Sequence, residues 1–362
     1  MTEKAKGTGR LAFIDWMRGL AAFIMLQGHV FQSFTRGDLR GGGPYVLSQF
    51  VGGLPPAMFL FLTGITFAFL MNSKERQAAS GKQKLLAALR RSGYLFLLAF
   101  LFRIQLYVFG YPNSPAGELL KVDILNCMGM AMLLFAPMVF FTTMERVRLC
   151  TVLGIVVAVL SPLITSLDNP QVPWLLHAYF FPSLNYFGFF PWAAFLAFGM
   201  AAGSILRLVT PDDMNRTMLW TMSVGVGLVI ASQYLSNLPY SFYPHSDYWL
   251  NSPGLIATKL GVVLCLLAIS YLWVNVGAAQ RWSFFRQLGT TSLLVYWVHV
   301  EIVYGRWFGF WKEALTVQQV VVFCIVLTAV MTLLSILRTR RKTLHAFFQS
   351  NAVPERRAAS GD

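Results

Sequence analysis

Ten apolar runs, most of them near 20 residues long and separated by short polar connectors, dominate the chain. A helical run of that length matches the hydrocarbon thickness of a bilayer. Backbone N–H and C=O groups in hydrocarbon must be satisfied within the segment, so runs of this kind are read as helices. The pattern predicts an all-α integral membrane protein with helices near 11–34, 50–71, 92–110, 122–141, 149–167, 186–208, 216–237, 254–275, 287–304 and 317–337. Composition agrees: 56% of residues are hydrophobic, 12% are charged, and the mean hydropathy is +0.58. A soluble domain is usually about a quarter charged. Pro55-Pro56 and Pro191 predict a kink or break in the second and sixth helices. The remaining polar chain is too short for a separate soluble domain. The expected division is a cytoplasmic N-terminal segment (1–10), a membrane domain (11–337) and a basic cytoplasmic tail (338–362). The first run reads as an uncleaved helix, because charged residues interrupt what would be the apolar core of a signal peptide.

The net charge of +14 is distributed as a topology signal. With the N-terminus inside, 21 lysines and arginines fall on inner connectors and ends and five on outer connectors. That asymmetry predicts two cytoplasmic termini and gives no reason to expect nucleic acid as a partner. Cys127, Cys150, Cys265 and Cys324 lie in or beside apolar runs without CxxC spacing, so they read as packing residues. No metal-ligand spacing occurs, nor a GxGxxG, Walker A or GxSxG motif.

The first run carries Asp15, Arg18 and His29. Eleven residues make three helical turns with about 20° left over, so Arg18 and His29 share a face about 16.5 Å apart along the axis, and Asp15 lies within about 40° of it. Ionisable groups are costly in lipid and normally face partners or a polar cavity. A second reading of the same stripe is structural, with Asp15 paired to Arg18 and His29 bonded to a neighbouring helix. Topology places His29, Arg103, Asp123, Asn126 and His299 in the outer halves or at the outer ends of their helices, a candidate polar cluster. Arg103 and Asp123 can equally be an ion pair between adjacent helices. The outer connectors 168–185 and 238–253 lack lysine and arginine and are rich in aromatic residues, including Trp174, and each has one histidine, His177 and His245. They read either as an interfacial aromatic belt or as a lid over an outward-facing site.

Four segments carry a resemblance. Asp15-Trp16-Met17-Arg18-Gly19-Leu20-Ala21 with His29 resembles the D-x-x-R-G-x-A…H opening of the transmembrane acyltransferase superfamily, and the Arg-x10-His spacing is similar to that of acyltransferase family 3. Residues 56–64 (PAMFLFLTG), 123–129 (DILNCMG) and 289–296 (GTTSLLVY) with His299 resemble motifs of the branch related to heparan-alpha-glucosaminide N-acetyltransferase. The heparan enzyme has Asn where His29 stands and a histidine later in the first outer loop, whereas residues 30–49 here contain none. If the chemistry is shared, the base is therefore expected at His29.

The resemblance implies an acyltransferase moving an acyl group, commonly acetyl, from cytoplasmic acyl-CoA to a carbohydrate or glycolipid acceptor on the far side. It implies acetyl-CoA as a substrate rather than a resident cofactor. Arg18, with Asp15, is expected to hold the donor, since guanidinium matches phosphate oxygens. His29, His299 and Asp123 are the candidate catalytic residues. Arg103, Asn126, Trp174, His177 and His245 are the candidate acceptor contacts. The expected setting is the plasma or inner membrane of a bacterium, with a monomer and a homodimer both open. A polytopic transporter of a small solute or envelope precursor remains the alternative, since buried charges and proline breaks suit it too.

Overall fold

The structure is a computed structural model that describes residues 12–351 apart from 113, 170, 244–245 and 276–281, with side chains described to residue 340. The regular elements among the described residues are all helices, with no strand among them. Seven segments are long and apolar enough to cross a membrane: Gly43–Arg76, Gly81–Gly110, Thr143–Ser166, Phe189–Leu208, Met214–Ser236, Pro253–Asn275 and Val317–Arg340. The chain divides into two compact units, one of Met1–Gly52 with Gly277–Asp362 and the other of Gly53–Val276.

The smaller unit holds α1 (Ala12–Phe34), α2 (Gly43–Gly52), α11 (Phe284–Thr290), α12 (Ser292–Tyr304) and α13 (Val317–Asn351). Helix α1 is 23 residues long but is not among the seven apolar segments. Its charged and amide side chains dilute an otherwise apolar run. The ninth expected helix is not continuous. It breaks at Thr291 (φ −126°, ψ 24°), where α11 ends and α12 begins. Local hydroxyls compete with the helix ladder there: Thr290 Oγ1 donates to the Gln287 carbonyl at 2.8 Å, and Thr291 Oγ1 lies 2.6 Å from Ser335 Oγ on α13. Helix α11 packs closely on α1 because two glycines face carbonyls. A Cβ at Gly19 would overlap the Phe285 carbonyl oxygen, and one at Gly289 would overlap that of Asp15. Between α1 and α2, the Arg36 guanidinium bonds Asp38 through both carboxylate oxygens, at 2.6 and 2.9 Å, and holds that carboxyl below its usual range.

The larger unit holds α3 (Pro55–Arg76), α4 (Gly81–Gly110), α5 (Ile124–Leu134), α6 (Thr143–Ser166), α7 (Trp174–Phe180), α8 (Phe189–Leu208), α9 (Met214–Ser236) and α10 (Pro253–Asn275). Its centre is α8. Buried residues make up 72% of the apolar window of α8, against 17% in α4 and in α9. Helices α3 and α8 interlock through small residues, as membrane helices do when no hydrophobic force draws them together. A Cβ at Gly199 would overlap the Phe61 carbonyl, and one at Gly64 that of Leu196.

The expected prolines mark real boundaries. Pro55-Pro56 occupy the first turn of α3, after the break that separates it from α2. Pro191 lies in the first turn of α8, beside the non-helical Phe190. The fourth run is shorter than the sequence predicts. Helix α5 ends at Leu134, and Ala136–Phe140 continue as a 3-10 turn with Pro137 near its start. The last helix is longer than the tenth apolar run, since α13 continues past residue 337 to Asn351.

Candidate functional site

The stripe on α1 meets α12 at a histidine pair. His29 Nδ1 lies 3.1 Å from His299 Nε2, with the rings stacked 5.3 Å apart at 22°. His299 Nδ1 is 2.5 Å from the Val295 carbonyl oxygen, one helical turn back. A carbonyl can only accept, so this contact assigns the proton of a neutral His299 to Nδ1. His299 Nε2 is then an acceptor, and a neutral His29 must donate to it from Nδ1. The lone pair of His29 is thereby assigned to Nε2. His299 is fully buried, whereas His29 keeps partial exposure. The arrangement leaves one basic nitrogen with its tautomer set by a chain of two hydrogen bonds.

Neighbouring contacts fix α1 around this pair. Tyr304 sets its ring edge against His29 at 5.3 Å and donates its hydroxyl to Gln32 Oε1 at 2.7 Å. Gln27 Nε2 donates to Ser48 Oγ at 2.5 Å, and Gln49 Nε2 to the Gly28 carbonyl at 3.2 Å, tying α1 to α2. Ser33 Oγ donates to the Val303 carbonyl at 3.0 Å. At the other end of α1, Arg18 Nη1 bonds Asp15 Oδ1 at 3.0 Å, with 20% of the Arg18 side chain exposed and 5% of Asp15. The paired carboxylate offsets the charge of the guanidinium without enclosing it.

The larger unit carries a second polar group. Asp123 caps α5: its Oδ1 accepts from Leu125 N at 2.9 Å and Asn126 N at 3.1 Å, and Asn126 Oδ1 accepts from Asp123 N at 3.2 Å. The D-I-L-N run is thus a reciprocal capping box, a local reason for those two residue types at that spacing. Arg103 on α4 lies between two carboxylates, 3.4 Å from Asp123 Oδ2 and 3.6 Å from Glu118 Oε2. Asp123 Oδ2 and Arg103 Nε are buried atoms with no hydrogen-bond partner. Asn126 Nδ2 donates to the Tyr179 hydroxyl of α7 at 3.0 Å.

Of the five residues expected as one cluster, His29 meets His299 within the smaller unit, and Asp123 meets both Arg103 and Asn126 within the larger. The aromatic connector is less organised. Trp174 is exposed and meets Tyr186 edge-on at 6.4 Å. His177 Nε2 lies 3.2 Å from Asp168 Oδ2, and its ring stacks on Phe181. His245 lies outside the described residues. Among the described residues, no group of His, Cys, Asp or Glu gathers as a metal site. Sequence reasoning did not single out Tyr304, Tyr179 or Glu118. The Val295 carbonyl had a signal, since it sits four residues before His299, at helical hydrogen-bond spacing.

The comparisons with known proteins bear on this geometry. No curated protein matches the chain. A family model described as heparan-alpha-glucosaminide N-acetyltransferase, catalytic, matches residues 10–243, well over half of the chain. The match spans α1 to α9, so His29, Arg103 and Asp123 lie inside it and His299 beyond it. The chain therefore belongs to the family of heparan-alpha-glucosaminide N-acetyltransferase catalytic domains, membrane acetyltransferases acting on carbohydrate.

Proposed function

We propose that the chain transfers an acetyl group from cytoplasmic acetyl-CoA to a hydroxyl or amine of a carbohydrate or glycolipid on the opposite side of the membrane, with His29 as general base. The observation that carries this reading is the histidine pair, which leaves Nε2 as the basic atom of His29. A neutral imidazole is a suitable base, and orientation of its far nitrogen by a fixed acceptor is the usual way such a base is held. As the acceptor oxygen or nitrogen attacks the thioester carbonyl, its proton passes to His29 Nε2. The C–S bond then breaks, and the proton leaves on the CoA thiol. The products are the acetylated sugar and free CoA. Through His29 Nδ1–H, the fully buried His299 stabilises the imidazolium in the intervening state. His299 is thus a positioning residue.

Arg18 is the donor-side residue in this reading. It lies about 16.5 Å along α1 from His29, a separation suited to a phosphate at one end of a pantetheine arm and a thioester at the other.

Purified protein offered radiolabelled acetyl-CoA and a glucosaminide tests the reading. Label on the sugar with release of CoA, strongly reduced in His29→Ala, is the expected result. Movement of solute across proteoliposomes without acetyl turnover would replace it with a transporter.

A further inference from the structure

We infer that the turn between α3 and α4 binds a phosphate group, through residues other than the histidine pair and Arg18. A cavity of about 330 Å³ opens there, lined by Lys74, Gln77, Ala79, Gln83, Leu86, Ala87 and Arg90. Two of these side chains are cationic and none is acidic.

The hydrogen bonds around the turn decide which atoms remain available. The oxygen of each lining amide is already occupied: Gln77 Oε1 accepts from Lys74 Nζ at 3.1 Å, and Gln83 Oε1 accepts from Ser80 N at 2.9 Å. The second bond belongs to a capping box that also returns Gln83 N to Ser80 Oγ, so Gln83 is held by the backbone of the turn. With each amide oxygen already accepting one bond, the lining side chains present mainly donors: two amide NH₂ groups, the remaining N–H groups of an ammonium and a guanidinium. A lining of donors and positive charge selects an anion with several acceptor oxygens, and phosphate fits that description.

The connector that carries the cavity is strongly basic. Residues 72–91 contain Lys74, Arg76, Lys82, Lys84, Arg90 and Arg91 against a single acid, Glu75. Glu75 is engaged elsewhere, bonding the fully buried Arg146 at 2.7 Å. It is therefore not the counter-ion of the cavity. Leu86 is 46% exposed and begins a lipid-type face of α4 that continues through Leu89, Leu97 and Phe100. A phosphate in this cavity would thus have apolar surface beside it, which suits the phosphodiester of an anionic lipid. The phosphates of a nucleotide such as CoA offer the same recognition chemistry.

The test uses the full chain purified in neutral detergent, with Lys74→Ala/Arg90→Ala compared with Lys82→Ala/Lys84→Ala. Both variants remove two positive charges from the same connector, but only the first strips the cavity. Native mass spectrometry with phosphatidylglycerol reads the lipid source, and calorimetry with 3′,5′-ADP reads the nucleotide source. At least a tenfold weakening of one of these in Lys74→Ala/Arg90→Ala, with the control near wild type, supports the site and names its source. Equal weakening in the two variants would mean general electrostatic attraction, and no binding of either probe to wild type would mean no site. Either result overturns the inference. Neither depends on acetyl transfer, so failure here leaves the proposed reaction standing.

Discussion

Both units close helices on one another through glycines and bond polar side chains across helices, but they differ in which groups those bonds hold. In the smaller unit α2, α11 and α12 are short beside the longer α1 and α13, and polar side chains bond one another across helices. The His29–His299 pair, Gln27–Ser48, Tyr304–Gln32 and Thr291–Ser335 contacts are all of this kind. In the larger unit most helices are long and apolar, and α3 and α8 close on each other through glycines. Its buried charges serve mainly the ends of helices: Asp123 caps α5, and Arg146 joins the start of α6 to the end of α3. The difference teaches where catalysis is expected. A site needs side chains held by other side chains at a set tautomer and distance, whereas a scaffold needs backbones brought close.

That comparison can be broken. The largest expected effect is at His29. His29→Ala should lower acetyl transfer by about 10²- to 10⁴-fold, the usual contribution of a positioned base, with its thermal unfolding temperature close to wild type. Near-normal turnover in steady-state assays would remove the base from the smaller unit. Arg18→Ala should come next, weakening CoA binding by about 1.5–3 kcal/mol if a charge-assisted bond is lost. Calorimetry on the folded variant checks this, and unchanged affinity would move donor recognition elsewhere.

A finer prediction separates positioning from chemistry. His299→Ala should lower kcat by roughly tenfold with little change in KM, because His29 keeps its lone pair but loses the acceptor that orients it. His299→Gln should recover part of the loss, since an amide oxygen can accept from His29 Nδ1–H. If Ala and Gln behave alike, the hydrogen bond does not do the positioning. The pH profile of kcat should also move in His299→Ala and return toward wild type in His299→Gln.

The smallest effect on activity should come from the scaffold. Gly199→Ala places a Cβ against the Phe61 carbonyl, whereas Gly227→Ala on α9 meets nothing within 4 Å. Overpacking of this kind costs about 1–3 kcal/mol. Thermal unfolding in detergent should therefore fall for Gly199→Ala and stay unchanged for Gly227→Ala, with kcat of the surviving folded protein preserved in both. A selective loss of kcat in Gly199→Ala would blur the division between site and scaffold.

The sequence by itself determined the class of the protein. Apolar runs of bilayer length have no other stable form than helix, and the Pro55-Pro56 and Pro191 boundaries follow from a residue that lacks an N–H. The alignment of Arg18 with His29 was also legible, because helical period is a local property. The Asp123–Asn126 spacing was legible as a motif, and the structure gives it a local meaning, a capping box. The sequence could not show that α12 begins at Thr291. At that break Thr291 meets Ser335, 44 residues further on, and α11 seats closely against Gly19. Nor could it show that His299, 270 residues from His29, would meet it at 3.1 Å while Arg103 and Asp123 paired within another unit. Helical period fixes which residues share a face. Only packing decides which faces meet, and so which nitrogen of His29 is left with its lone pair.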